Sequence, residues 1–298
     1  MMIPSTQGAI GTTGGDALAL LRKSQARLVS IFGSLDDDGA GRVHYILDVD
    51  NVYRVFTTPV SGPIAAATAI TPAAAWYERE VHERFGIEFD GHPDLRPLIH
   101  HEPNYPFLKV GGEGVCEVPV GPVHAGIIEP GHFRFSVVGD TVLHLELHHF
   151  YTHKGTEKLF EGTPVMTGPI VAESVSGDNC FAHAGAYCQA VENACGLEAP
   201  PRGCAIRLVG LELERMLAHI ADVGALCGDV GFTVPAAYNA RIKESLLQAS
   251  ARLVGTRLWK GMAMPGGVRR DLSQESAREL SRAFCSRAAR RSTPADRR

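Results

Sequence analysis

The sequence predicts an α+β protein with two domains. Three observations lead there: alternating apolar residues over Arg42–Phe56, a hairpin pattern over Glu117–His149, and successive helical stretches between Phe181 and Val254. At 298 residues the chain is long enough for two domains of ordinary size. Hydrophobic residues at 45% and charged residues at 21% are those of a soluble globular protein. A net charge of −4 argues against a general nucleic-acid or anionic-membrane binder.

Residues 1–15 are rich in Gly, Thr and Ser and are expected to fray. Ala17–Phe32 places Leu18, Leu21, Leu28 and Ile31 near one face and predicts an amphipathic helix. Asp36–Gly41 is a turn, and Val43, Tyr45, Leu47 and Val49 alternate along one half-buried strand that follows it. Trp76–Phe85 is helical by composition and closed by Gly86. The turn-rich, charged FDGHPDLRPL stretch after it is expected on the surface. Gly111–Gly114 is a linker, which puts the domain boundary near Lys109.

Beyond the linker, Phe133, Phe135 and Val137 alternate, Gly139-Asp140 turns the chain, and Leu143, Leu145 and Leu147 alternate again. Helices follow over Phe181–Cys195, Ala205–Cys227 and Ala236–Val254. In the second, Ile206, Val209, Leu213, Met216, Leu217, Ile220 and Val223 form a core stripe, with Glu212, Glu214, Arg215, His219 and Asp222 on a solvated or partner-facing side.

No apolar run reaches the ~20 residues of a spanning helix, and no basic segment followed by an apolar core marks a secretion signal. Seven scattered cysteines without a C-x-x-C pair argue against a structural zinc or redox dithiol and predict reduced, cytoplasmic thiols. His144, His148, His149 and His153 crowd within ten residues. No acidic or Cys ligand joins them at a familiar spacing, so His148 and His149 are expected on a polar face rather than on a metal.

The polar loop Ser176-Gly177-Asp178-Asn179 feeds straight into the helix at Phe181. Asp178 or Asn179 can cap its first turn, and the free N–H groups there can hold an anion or a polar ligand head.

Trp76–Leu98, WYEREVHERFGIEFDGHPDLRPL, closely resembles the signature of the 30-kDa-type (C) subunit of respiratory complex I. The same domain is fused to the large subunit of group 4, hydrogenase-3/-4-type and formate hydrogenlyase enzymes. Glu78, Arg79, Glu80, Phe85, Gly86, Gly91, His92, Pro93, Asp94, Leu95 and Arg96 match, and Glu83 stands where Asp is usual. The resemblance implies docking against partner subunits by Glu78, Arg79, Glu80, His92, Asp94 and Arg96. Four charges between Glu78 and Glu83 also suit a polar interface better than a pocket.

The passage from Val118 to Asp140, with Tyr151–Gly162, resembles the start of the 49-kDa-type (D), hydrogenase-like large subunit. Gly121, Pro122, His124, Glu129, Pro130, His132, Phe133, Arg134, His153, Gly155, Glu157 and Lys158 match; Ala125 replaces Pro and Lys154 replaces Arg. The resemblance implies that this loop lines a quinone-type cavity and that Glu129 relays protons, which a carboxylate does when burial lifts its pKa toward neutrality.

The stretch Glu173–Glu192 resembles the group 4 hydrogenase motif that carries the first nickel-binding cysteines, and those two positions fall on Ser176 and Asn179. A hydroxyl and a carboxamide cannot replace thiolates around nickel and iron. The complex I counterpart carries a tyrosine that hydrogen-bonds the quinone head, and Gly177 occupies its place. No metal site is therefore expected in this chain.

The GMAMPGGVRRDL loop also resembles the family, where GGV lies close to the quinone or nickel cavity, and by motif the resemblance runs from about residue 40 to Leu272. Ser273–Arg298 holds seven arginines against three acids and is expected to be a disordered basic tail or a frameshifted, shortened end. The resemblance implies an N-terminal 30-kDa-like α/β domain over 1–109. Over 110–272 it implies the start of a large-subunit-like domain, a small antiparallel sheet followed by a helical bundle.

The function implied is that of a subunit in a membrane-associated NADH:quinone oxidoreductase or hydrogenase-4-like complex. Its cavity is bounded by His124, Glu129 and the Ser176, Asp178 and Asn179 loop. A quinone-like acceptor, a 4Fe–4S cluster in a small B-type partner, membrane ion-pump partners and an indirect link to NAD(H) come with that reading. So does a peripheral place on the inner face of the cell membrane. The alternative is a non-catalytic scaffold that keeps the docking surfaces. Helix faces exposed by a shortened bundle predict poor solubility in isolation.

Overall fold

The computed structural model describes residues 13–100, 104–122, 131–275 and 278. His124 and Glu129 lie outside the described residues, as does most of the expected tail. Two compact units divide between His153 and Lys154, each with its own core.

In the first unit, α1 (Gly14–Arg22) is followed by an antiparallel sheet of β1 (Arg27–Leu35), β2 (Gly41–Val49) and β3 (Val52–Pro59). Two sequence expectations change here. The predicted helix over Ala17–Phe32 stops at Arg22, and Arg27–Leu35 pairs with β2 instead. Ser24 takes a positive φ of 53°, breaking the helix, and the Leu-Val-Ser-Ile-Phe run beyond it suits a pleated surface. The single predicted strand over Arg42–Phe56 is a hairpin, because Asp50 and Asn51 both adopt positive φ (53° and 61°) and turn the chain. Short polar side chains tolerate that conformation, which two-residue hairpins require. The helix begins at Gly14, so Gly14 and Gly15 are ordered rather than frayed.

Ala17, Val43, Tyr45, Leu47 and Phe56 fill the core between α1 and this sheet. Two two-residue strands, β4 (Ile64–Ala65) and β5 (Phe89–Asp90), pair in parallel around α2 (Ala75–Phe85). Gly86, at φ 64°, closes α2 as the sequence predicts.

A second sheet joins β6 (Cys116–Val120), β7 (His132–Val138) and β8 (Thr141–His148). Its faces are reversed from what hydrophobicity alone suggests: His132, Ser136, Glu146 and His148 are buried, whereas Leu143, Leu145 and Leu147 are exposed. His148 lies on the sheet's polar face as expected, but that face is the buried one. Its ring stacks on Tyr105 at 4.1 Å between centroids.

The second unit carries α3 (Thr156–Phe160), α4 (Gly168–Ala172) and three long helices: α5 (Cys180–Cys195), α6 (Pro201–Asp229) and α7 (Thr233–Val254). A small hairpin of β9 (Ala263–Met264) and β10 (Gly267–Val268) follows. Phe181, Ala184, Cys188, Ile206, Leu213 and Trp259 form its main core. Helix crossing is tight at Gly210, where a Cβ would come within 2.6 Å of the Phe181 ring and 2.9 Å of Trp259. Met216 and Val223, expected on the core stripe of α6, are exposed, and Glu214, expected on its solvated side, is buried.

Candidate functional site

In the first unit, α2 and the turn after it turn their charges inward. Glu78 is fully buried and accepts from the N–H groups of Ala67 (2.5 Å) and Thr68 (3.2 Å) and from the Thr68 hydroxyl (2.5 Å). Arg79 donates to the carbonyls of Arg96 (2.8 Å) and Pro97 (2.7 Å). The His92 side chain is fully buried, with Nε2 3.8 Å from Glu78 Oε2. Glu83 receives the N–H groups of Leu98, Ile99 and His100. Glu80 pairs with Arg84 at 3.1 Å. The segment's surface position, expected from its polarity, gives way to a lattice that fixes its own backbone.

Arg96 links this lattice to the second sheet. It holds Asp94 at 2.7 Å and reaches Glu146 at 2.7 Å, while Glu146 also takes the Leu108 N–H at 2.8 Å. The hydrogen bonds from Arg96 hold the Asp94 carboxyl down at about 2. Beside Glu146, the Arg134 guanidinium lies 4.1 Å from the centroid of the Phe107 ring, a cation–π contact. Arg134 Nε also approaches His132 Nε2 at 3.4 Å. Burial, then the charge of Arg134, lowers the His132 pKa, so the ring is held neutral.

Next to His132, Gly131 comes close to Gly121: a Cβ on Gly121, at φ 93°, would fall 2.2 Å from the Gly131 carbonyl oxygen. Only glycine permits that approach.

In the second unit the Ser176–Asn179 loop precedes α5. Ser176 Oγ donates to Asp178 Oδ1 at 2.6 Å, and Gly177, Asp178 and Asn179 are exposed. Neither Asp178 nor Asn179 caps the helix with its side chain. Glu214 does this from α6, accepting the N–H groups of Phe181 (2.8 Å) and Ala182 (3.0 Å). Burial raises the Glu214 pKa, and those two N–H groups oppose the rise. The sequence gives one signal for it: an acid flanked by Leu213 and Leu217 on an amphipathic helix.

Glu173 is likewise buried and takes the Gly261 N–H at 2.5 Å. Lys154 Nζ reaches the carbonyls of Ser174 (3.3 Å) and Val175 (3.2 Å), tying the loop's approach.

The donor chemistry of this loop does not fit a nickel–iron centre. Ser176 and Asn179 offer no thiolate, and the nearby Cys180 donates its Sγ proton to the Leu258 carbonyl at 3.2 Å. Burial pushes that thiol up to about 11, so it stays protonated. The loop presents a hydroxyl, a carboxylate and a carboxamide, which suit hydrogen bonding to a polar organic head. Among the described residues no group of three His, Cys, Asp or Glu side chains is placed to hold a metal ion.

Residues 15–110 match the family of the respiratory-chain NADH dehydrogenase 30-kDa subunit, and residues 229–296 match that of its 49-kDa subunit. The chain joins a 30-kDa-type domain to a 49-kDa-type domain. The second match continues past Leu272, to which motif resemblance alone extends. This 30-kDa/49-kDa chain is 33% identical to hydrogenase-4 component G of Escherichia coli, over 80% of its own length and 49% of that relative. It is 31% identical to formate hydrogenlyase subunit 5 of the same organism, with 80% and 48% covered. The C/D fusion protein of NADH-quinone oxidoreductase from Phocaeicola vulgatus is 25% identical, with 82% and 56% covered. The chain thus spans about half the length of the curated relatives it matches.

In fold, it is similar to a chain of the membrane-bound sulfane sulfur reductase, an archaeal respiratory membrane complex. That match has a TM-score of 0.56 and 24% identity, covering 60% of this chain and 48% of the other. The α+β architecture expected from sequence agrees with that neighbour. Among the described residues no helix is long and apolar enough to cross a membrane.

Proposed function

We propose that this chain acts as the fused C/D-type subunit of a membrane-associated electron-transfer complex of the complex I/hydrogenase-4 kind. The observation that carries the reading is the order of the 30-kDa and 49-kDa families in one chain, in keeping with 33% identity to hydrogenase-4 component G over 80% of this chain. In that role the chain binds no metal of its own. Electrons reach it from a 4Fe–4S cluster in a small B-type partner and pass to a quinone-like acceptor; NAD(H) enters only through the rest of the complex. Membrane ion-pump subunits anchor it at the inner face of the cell membrane.

Ser176, Asp178 and Asn179 offer the acceptor's polar head hydrogen-bonding groups. His124 and Glu129 supply and accept protons; Glu129 does so once its surroundings lift its pKa toward neutrality. Glu78, Arg79, Glu80, His92, Asp94 and Arg96 shape the segment offered to partner subunits.

A second reading, a scaffold without chemistry, is favoured by Ser176 and Asn179 in place of thiols and Gly177 in place of a phenol. Purification from native membranes through a tag on this chain decides between them. The first reading expects co-purified iron–sulfur and membrane subunits, no stoichiometric nickel, and reduction of a quinone analogue that Glu129→Gln or His124→Ala lowers at least tenfold. A complex whose activity is indifferent to both substitutions would make this chain a scaffold. Failure to recover any membrane complex would sink both.

A further inference from the structure

Where α7 ends, the second unit has a recess of about 220 Å³. Lys260, Arg269 and Arg270 line it with Thr256, and no carboxylate does. The floor is glycine. A Cβ on Gly255 would sit 3.6 Å from Arg270 Nη1, and one on Gly261 would sit 3.9 Å from Arg269 Nη1, so both guanidiniums reach over bare backbone.

Among the described residues none of the three cations has a carboxylate within ion-pair distance. The nearby acids are engaged elsewhere: Asp271 with Arg202, Glu244 with Arg257, and Glu173 with the Gly261 N–H. One cation beside a helix C-terminus is explained by the dipole, whose end carries about half a negative charge. Three are not. With Glu173 ionised and the helix end counted, an excess of about one and a half positive charges remains. Holding like charges together without an anion is unfavourable, and a ligand with several acceptor oxygens relieves it.

We propose that this recess binds a phosphate-class oxyanion, supplied either as a free ion or as the headgroup of an anionic lipid. The two guanidiniums provide paired N–H donors, Lys260 a mobile third charge, and Thr256 a hydroxyl. This site is assigned from the residues of the recess alone, without reliance on the proposed electron-transfer role.

Titration of the full chain with inorganic phosphate against chloride at matched ionic strength, followed by calorimetry and phosphorus NMR, tests it. Saturable binding is expected. Arg269→Gln with Arg270→Gln should weaken it at least tenfold, Lys260→Gln less, and Arg257→Gln, outside the recess, should leave it unchanged. All four side chains are exposed, so an unaltered melting temperature accompanies each substitution. A second arm floats the chain with phosphatidylcholine vesicles that contain or lack phosphatidic acid. Binding confined to the first arm identifies a free anion; flotation dependent on phosphatidic acid and lost in the double variant identifies a headgroup. No saturable binding in either arm, or binding that survives all three recess substitutions, overturns the proposal.

Discussion

Two carboxylates of opposite behaviour show how single residues set the response to pH. Arg96 holds Asp94 at about 2, below its ordinary value. A carboxyl depressed in the folded state contributes stability that is present above the unfolded pKa of ~3.9 and is lost as pH falls toward 2. The full shift would correspond to about 2.5 kcal/mol, but a side chain one-third exposed to solvent is screened, and about 1 kcal/mol is expected. Asp94→Asn should lower stability by that amount at pH 7 and by almost nothing at pH 2, as urea melts at the two pH values would show. Glu214 has the reverse sign. Burial raises its folded pKa, so its contribution is greatest below the unfolded value of ~4.3 and declines as pH rises through the folded one. Glu214→Gln keeps one acceptor for two N–H groups. It should cost about 1–2 kcal/mol near pH 5 and proportionately less at pH 8; equal cost at both would refute the account.

At the scale of elements, the β9–β10 hairpin is held to α5 and α6 by one buried pair. Arg207 grips Glu192 through both carboxylate oxygens (2.9 and 2.6 Å) and donates to the carbonyls of Gly267 and Met264, and the Gly266 N–H completes Glu192. Glu192→Ala strands a buried guanidinium and should destabilise the second unit by about 3–5 kcal/mol, whereas Glu192→Leu with Arg207→Met should recover most of it. Equal losses in the single and double variants, measured by chemical denaturation, would contradict this coupling. Elements of this kind mark the limit of what the sequence discloses. The ends of α2, α5 and α7 are legible because Gly86, Gly196 and Gly255 each take the left-handed conformation. The β7–β8 hairpin is legible from Gly139-Asp140. The β2–β3 turn is not, since Asp50 and Asn51 interrupt an otherwise continuous alternation without a glycine. Nor is the cap of α5: its acceptor, Glu214, lies 33 residues away on another helix. Local pattern reports which residues are apolar, but burial of His148 and exposure of Leu145 depend on Arg96 and Tyr105 reaching the sheet from the 94–108 segment.

At the scale of the whole molecule, the exposed apolar side chains include two runs, one in each unit. Within the first unit, Val142, Leu143, Leu145 and Leu147 stand open along β8. Within the second, Val230 and Val234 are each 77% exposed and Phe232 61%, at the turn between α6 and α7. Contiguous apolar side chains on a soluble surface mark contact sites and promote association. A net charge of −4 across 298 residues gives little repulsion against it. The isolated chain is therefore expected to self-associate as concentration rises, seen as growing scattering mass. Because these side chains are already in water, replacing them has little effect on folding, so Val230→Lys with Val234→Lys and, separately, Leu143→Thr with Leu145→Thr should reduce association while moving the melting temperature by no more than a few degrees. If the two patches are contact surfaces of a larger assembly, the same substitutions should lower recovery of the chain with its partners from membranes. Substitutions that cured association while leaving that recovery intact would make the patches incidental.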